Sequence, residues 1–313
     1  MRSRPVLDGL LAAVTLVSAL AAPRHAAAQA WVTPRGEGAV TVSHQFVGST
    51  DHIPRTGVRD SSLGRETLHV AVGDVVYGVT DRLSTELSLV WLATKWVGRV
   101  EDRHGPLDTG AFHGTFQDIR VAARYQLVEG PVNVAPFVAF GGPVTDYETR
   151  GHSAFGRHLE EFTLGTTVGG RVGGRVYWQA LGSYAFVNDI NTEDFNLDHL
   201  NGDVELGVAV GTRWTVRAFG SGQWMWNGLQ VGPITDHLHL RSNHDRFTQS
   251  SFFNAGGGVG LSLSPRVDVA LTGFSTLEAR NFHALNALVT SLTWKFGGGF
   301  RITPPIPDVP RTR

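Results

Sequence analysis

After Ala30, apolar and polar residues alternate at every second position in a series of strand-length segments. In Asp203-Val204-Glu205-Leu206-Gly207-Val208-Ala209-Val210 every even position is aliphatic and every odd one is acidic or small. Ile119, Val121, Ala123, Tyr125 and Leu127 likewise share one face, while Asp118, Arg120, Arg124 and Gln126 share the other. Such segments cover 38–48, 65–77, 83–95, 115–127, 132–141, 161–171, 176–187, 201–211, 214–226, 251–263, 267–277 and 284–296, which predicts about twelve strands. The second has the least regular pattern. Its parity changes near Gly73-Asp74, where a β-bulge would keep Asp74 off the apolar face.

The connections alternate between short and long. Thr80 to Arg82, Val128 to Pro131, Val172 to Arg175, Thr212 to Arg213 and Ser264 to Arg266 are turn-rich and tight. Segments 49–64, 97–115, 142–160, 188–200, 227–247 and 278–283 are long. An up-and-down antiparallel sheet with both termini on the side of the turns produces this order, as in transmembrane β-barrels. Alternation alone leaves open whether the apolar face points to a soluble core or to lipid.

Strand length and aromatic placement favour lipid. The even positions from Trp214 to Trp226 carry Trp214, Val216, Ala218, Gly220, Gly222, Trp224 and Trp226, with aromatics at both ends and small residues between. At ~2.6 Å of rise per residue along the membrane normal, Trp214 and Trp224 lie roughly 26 Å apart, the height of an apolar band between two aromatic girdles. The odd positions hold Thr215, Arg217, Ser221 and Gln223, a wet lining. In the last segment Leu288, Leu292, Trp294 and Phe296 share one parity and end in an aromatic, which resembles the terminal strand that barrel-assembly machinery recognises.

The termini fit this destination. Arg2 and Arg4, the apolar run from Gly9 to Ala22, and Ala28-Gln29-Ala30 read as a signal peptide over 1–30, so the mature chain is expected to begin at Trp31. The barrel is expected over 31–296, with a Gly/Pro-rich periplasmic tail at 297–313. Removing Arg2, Arg4, Arg24 and Asp8 takes the formal net charge from -1 to -3, which provides no footprint for nucleic acid. The chain has no cysteine, so disulfides and thiolate chemistry are excluded.

Several pieces resemble the bacterial outer-membrane β-barrel family of MetA-pathway phenol-degradation transporters. They are Gly36-Glu37-Gly38-Ala39-Val40-Thr41-Val42-Ser43, Tyr77-Gly78-Val79-Thr80-Asp81-Arg82-Leu83, Phe116-Gln117-Asp118-Ile119-Arg120, Ser183-Tyr184-Ala185-Phe186-Val187 and Arg280-Asn281-Phe282-His283-Ala284-Leu285-Asn286. The resemblance implies an outer-membrane location and passage of small aromatic or hydrophobic compounds. It supplies no catalytic residues.

The candidate channel-lining charges are Glu86, Asp118, Arg120, Arg124, Asp203, Glu205, Arg217 and Asp268, with Arg171 and Lys295 on the same inward parity. They form either a constriction that sorts solutes by charge or a ladder of ion pairs filling the lumen. Twelve tilted strands give a backbone radius of roughly 12 Å and leave a lumen of order 10 Å once side chains are placed.

Ten histidines fall in or beside the long connections: His52, His104, His113, His152, His158, His199, His237, His239, His244 and His283. His237-x-His239 puts two imidazoles on one face of an extended chain, but no defined ligand spacing accompanies it. Solvated loop histidines are therefore expected, with no metal and no cofactor. A lipase of the barrel type would need a His-x-Ser pair, and no histidine here is followed two residues later by serine. His113-x-Thr115 is the nearest match. Gly256-Gly257-Gly258 fits barrel curvature rather than phosphate binding.

The expected protein is an outer-membrane channel for small, aromatic or hydrophobic solutes, with membrane lipids and the barrel-assembly machinery as partners. The alternative is a non-conducting structural barrel whose surface loops bind another molecule.

Overall fold

Period-two alternation becomes twelve antiparallel strands that close on themselves. In a computed structural model, residues 30–62, 64–103, 105–188, 196–230 and 244–298 are described. Apart from Ala30, Gly297 and Gly298, the expected signal peptide and tail lie outside the described residues, as do His104, His237 and His239.

The strands are β1 (Gly38–Ile53), β2 (Arg65–Gly78), β3 (Leu83–Val97), β4 (His113–Tyr125), β5 (Val132–Pro143), β6 (Glu161–Val172), β7 (Val176–Val187), β8 (His199–Val210), β9 (Trp214–Met225), β10 (Ser251–Ser264), β11 (Val267–Arg280) and β12 (Phe282–Phe296). Each pairs with its sequence neighbours, and β1 pairs with β12 to close the ring. Closure leaves no unpaired edge, the condition under which a sheet is stable in lipid. Gly38 faces Phe296 on one side and Tyr77 on the other, so the first and last strands meet at the end of the tight turns. This end is called the turn end here and the opposite one the loop end. In the three-residue turn between β6 and β7, Gly173 and Gly174 both take positive φ, 59° and 70°, the left-handed region that glycine adopts without a Cβ penalty.

Parity determines the two faces. Val204, Leu206, Val208, Trp214, Val216, Trp224 and Trp226 are exposed on the outer wall, while Thr215 and Gln223 are buried inside. Tyr77, Tyr125, Trp214 and Trp294 ring the turn end of the outer wall, and Phe140, Phe162, Phe186, Trp224 and Trp226 ring the loop end. Apolar side chains that would be a defect in water are here the surface presented to lipid.

Three details differ from the expected pattern. The strands extend further toward the loop end, so the long connection expected at 278–283 shrinks to Asn281, which takes a left-handed φ of 48° between β11 and β12. On β4 a bulge opposite Val90 turns both Gln117 and Asp118 inward, with Leu89 facing Ile119 and Trp91 facing Phe116. On β2 the bulge expected at Gly73-Asp74 is absent, because the strand pairs without a register shift on either side. Asp74 stays off the lipid face because β2 turns its aliphatics inward. Leu68, Val70 and Val72 are buried, and His69 points outward and stacks on His44, with ring centroids 5.3 Å apart. Aromatic side chains reaching into the lumen from residues 144–160 reverse the usual orientation.

Candidate functional site

The inner wall has a polar zone toward the turn end and an apolar zone toward the loop end. In the polar zone the expected lining charges are arranged largely as pairs. Arg124 Nη2 lies 3.0 Å from Glu86 Oε1 and Arg120 Nη1 lies 3.9 Å from Glu86 Oε2. Both guanidinium groups also stand over the Phe137 ring. Arg217 Nη1 is 3.5 Å from Glu205 Oε2, and the Tyr177 hydroxyl donates to Glu205 Oε1 at 2.6 Å. Lys295 Nζ is 2.6 Å from Asp268 Oδ2, and Ser262 Oγ donates to Asp268 Oδ1. Asp203 lies two residues along β8 from Glu205 on the same face and is half-buried. Inward Gly256 and Gly258 leave room for this packing: a Cβ at Gly256 would come 2.7 Å from Phe219 and Phe274, and one at Gly258 2.6 Å from Thr272 Oγ1, which accepts from Arg217.

Asp118 links the polar zone to the loops. It accepts from the hydroxyl of Tyr147, which also receives the backbone N–H of His158. Burial, and then the negative charge of Asp118, push the Tyr147 phenol well above its ordinary range. It therefore stays protonated as the donor.

Around Tyr147 the lumen is apolar. Val47, Leu68, Val70, Val72, Leu92 and Leu285 from four adjacent strands bury against Tyr147 and Phe155, with Leu107 and Phe282 at the margin. Leu159, Leu197, Met225 and Phe247 form a second cluster near the mouth. The loops that deliver these groups are tied together. Asp108 accepts backbone N–H groups from Gly105, His152 and Ser153, at 3.0, 3.3 and 2.8 Å. Arg157 Nε donates to the Arg246 carbonyl at 2.8 Å, and Arg246 Nε donates to the Arg157 carbonyl at 3.1 Å. His158 has a left-handed φ of 53°, which aims its N–H at Tyr147 while its carbonyl accepts from Arg246. Burial pulls the Arg246 guanidinium below its usual value.

At the turn end, Ala30, Trp31 and Val32 are 0%, 2% and 1% exposed. The Val32 N–H donates to Gln126 Oε1 at 2.9 Å, Gln126 Nε2 donates to the Ala30 carbonyl, and the Trp31 indole lies 5.7 Å from the Arg171 guanidinium.

Loop histidines are less solvated than expected. His199 is buried and bonds the Leu197 carbonyl, His152 stacks on Trp96, and His283 Nδ1 lies 3.6 Å from Glu66 Oε2. Among the described residues no three histidine, aspartate or glutamate side chains are grouped to hold a metal. The inward aliphatics of β2, the Tyr147–Phe155 insertion, the Arg157–Arg246 clasp and the segment around Trp31 do not follow from alternation. The one local signal is a tryptophan and valine immediately after the expected cleavage site, where a loose linker would be polar.

The closed ring of twelve strands with an apolar, aromatic-bounded outer wall is a bacterial outer-membrane β-barrel. No family model matches the chain, and no curated protein matches it in sequence. Among solved structures, the COG4313 outer membrane channel from Pseudomonas putida F1 superposes with a TM-score of 0.65 at 15% identity, over 86% of this chain and 98% of that one. The NanC porin superposes with a TM-score of 0.50 at 8% identity, over 82% of this chain and 100% of that one. At these identities the likeness is one of fold.

Proposed function

We propose that the barrel is a passive outer-membrane channel for small aromatic or hydrophobic solutes. The apolar inner wall carries this reading: Leu68, Val70, Val72 and Leu92 face the lumen at positions where a water-filled pore would place polar groups. Tyr147 and Phe155 cover this wall, so a solute the size of a Leu or Phe side chain reaches it by displacing them, its own burial there being favourable by about 1.5–3 kcal/mol. The loop end would face outward and the turn end the periplasm. Between them Glu86, Arg120, Arg124, Glu205, Arg217 and Asp268 form a lining whose charges cancel locally, so it wets the lumen without strongly selecting either sign of ion. Asp118 and Asp203 extend that lining.

The two superposed folds are a channel and a porin, and we assign the barrel no enzymatic step. The outward Leu288, Leu292, Trp294 and terminal Phe296 of β12 support recognition by barrel-assembly machinery and contact with membrane lipid. A second reading has its own support: the interlocked loops make a stable exposed surface, as a non-conducting barrel that binds a partner would need. Planar-bilayer conductance together with uptake of a labelled aromatic solute separates the two. Uptake with measurable conductance supports the channel; a sealed bilayer and unchanged uptake, with the barrel correctly inserted, support the partner-binding barrel.

A further inference from the structure

We propose that two copies of this barrel pair side by side in the membrane through the outer wall of β12, β1 and β2, with His69 of each copy meeting Asn286 of the other. The inference needs the membrane position of the barrel and not the nature of what the lumen carries. Across β8 and β9 the outward positions between the girdles are aliphatic or small. On β11, β12, β1 and β2 the outward parity instead carries Ser275, Asn286, Thr290, His44 and His69. Val40 faces Trp294 of the turn-end girdle, and His44 lies four residues further up β1, which at ~2.6 Å per residue is about 10 Å into the ~25 Å apolar band. His69 is eight residues up β2 from Tyr77 and Asn286 eight residues up β12 from Trp294, so both lie about 21 Å up and at one height. Polar groups at that depth need partners, because acyl chains supply none.

Within one barrel these groups are satisfied only in part. His44 Nε2 and His69 Nδ1 share one hydrogen bond at 3.1 Å, and Ser275 Oγ donates to Asn286 Oδ1 at 2.7 Å. Among the described residues neither His69 Nε2 nor the Asn286 amide nitrogen has a hydrogen-bond partner. The two match each other. When His69 Nδ1 donates its proton to His44, His69 Nε2 is an acceptor, and the Asn286 amide is a donor. Phe46 packs on the His69 ring with centroids 5.4 Å apart, so the imidazole is held in place from β1 as well.

The placement of donor and acceptor selects a second copy as the occupant. Asn286 on β12 and His69 on β2 flank β1 on either side. Two barrels inserted in the same sense are related by a two-fold axis along the membrane normal, which sets β2 of one opposite β12 of the other when β1 lies on the axis. Height is preserved by that axis, so each His69 meets an Asn286 at its own level and the bond forms twice. On the axis strand Gly48 faces Asn286 in register, and a Cβ built on it would meet nothing within 4 Å. The absent side chain lets two walls approach closely, as small residues do between membrane helices.

The test uses single cysteines, since the natural chain has none to compete. Gly48→Cys is compared with Gly182→Cys on β7, the opposite wall, where a Cβ likewise meets nothing within 4 Å. Both are reconstituted in phospholipid vesicles and oxidised, and only barrels folded by heat-modified electrophoresis are counted. Gly48→Cys is expected to form disulfide-linked dimer several-fold faster than Gly182→Cys. Adding His69→Leu with Asn286→Leu to Gly48→Cys should bring its rate down to the Gly182→Cys level. The natural chain, which needs no substitution to fold, should sediment as a dimer in mild detergent. Equal cross-linking at the two positions overturns the pairing, and so does a natural chain that sediments as a monomer, with or without bound lipid. Cross-linking at Gly48→Cys that survives the double leucine change overturns the contact between His69 and Asn286.

Discussion

Glu86 lies between the guanidinium groups of Arg124 and Arg120, with its side chain only 9% exposed. Removing one member of such a set leaves a buried charge uncompensated, which costs about 3–5 kcal/mol, whereas removing both members of a pair costs less. Glu86→Gln is thus expected to lower stability in urea titrations from lipid vesicles by that amount. The double change Glu86→Gln with Arg124→Gln should recover part of the loss, and a fully additive double would contradict the pairing. The inward direction of Glu86, Arg120 and Arg124 was legible in the sequence because a charge on alternate positions of a strand must avoid lipid. Their pairing was not, since it depends on the register of β3 against β4 across a long loop. On the loop-end connections, hydrogen bonding to Arg150 holds the Glu148 carboxyl below its ordinary range. The bond's stabilisation is full above the ordinary glutamate pKa and is lost as pH falls through the depressed value. Proteolysis of 144–160 should therefore stay constant through mildly acidic pH and rise only below the ordinary glutamate range.

At the scale of the element, β9 and β2 show what alternation can and cannot decide. On β9 the tryptophans at both ends of one face mark lipid, and the structure keeps Trp214 and Trp224 outside. Ala218→Arg, on that face between the girdles, should cost about 2–4 kcal/mol in refolding from urea, and no measurable effect would contradict the membrane position. On β2 the same kind of alternation points the other way: the aliphatics face inward, toward Tyr147 and Phe155, which lie some 75 to 90 residues further along the chain. A strand's own residues state that its two faces differ. Which face is inside depends on what fills the lumen, and β2 is decided by a loop. Leu68→Ala should therefore cost about 2–5 kcal/mol as a buried truncation, and a cost near zero would contradict the inward assignment.

For the whole molecule, strand number, ring closure and the side of the termini were legible because turn chemistry alternates with long connections along the chain. The contacts that tie the loops and the segment before β1 to the barrel were not. The clasp of Arg157 with Arg246 and the crossing of Trp31 to Arg171 are long-range encounters made largely by backbone carbonyls and one ring face, with no local signature. Together they hold the loop-end connections and the segment before β1 against the barrel's packed interior. Opening the loop end alone with Arg157→Ala should increase proteolysis of residues 144–160 while the barrel remains folded by heat-modified electrophoresis. Unchanged proteolysis would show that the clasp does not hold the loops.

The most direct test of the central claim is the uptake of a labelled aromatic solute such as phenol by Gram-negative cells with and without this barrel in the outer membrane, at matched amounts of folded protein. Faster uptake in cells that carry the barrel, reduced by Val70→Asp on the apolar inner wall, is the predicted result. Equal uptake with and without the folded barrel would contradict the account.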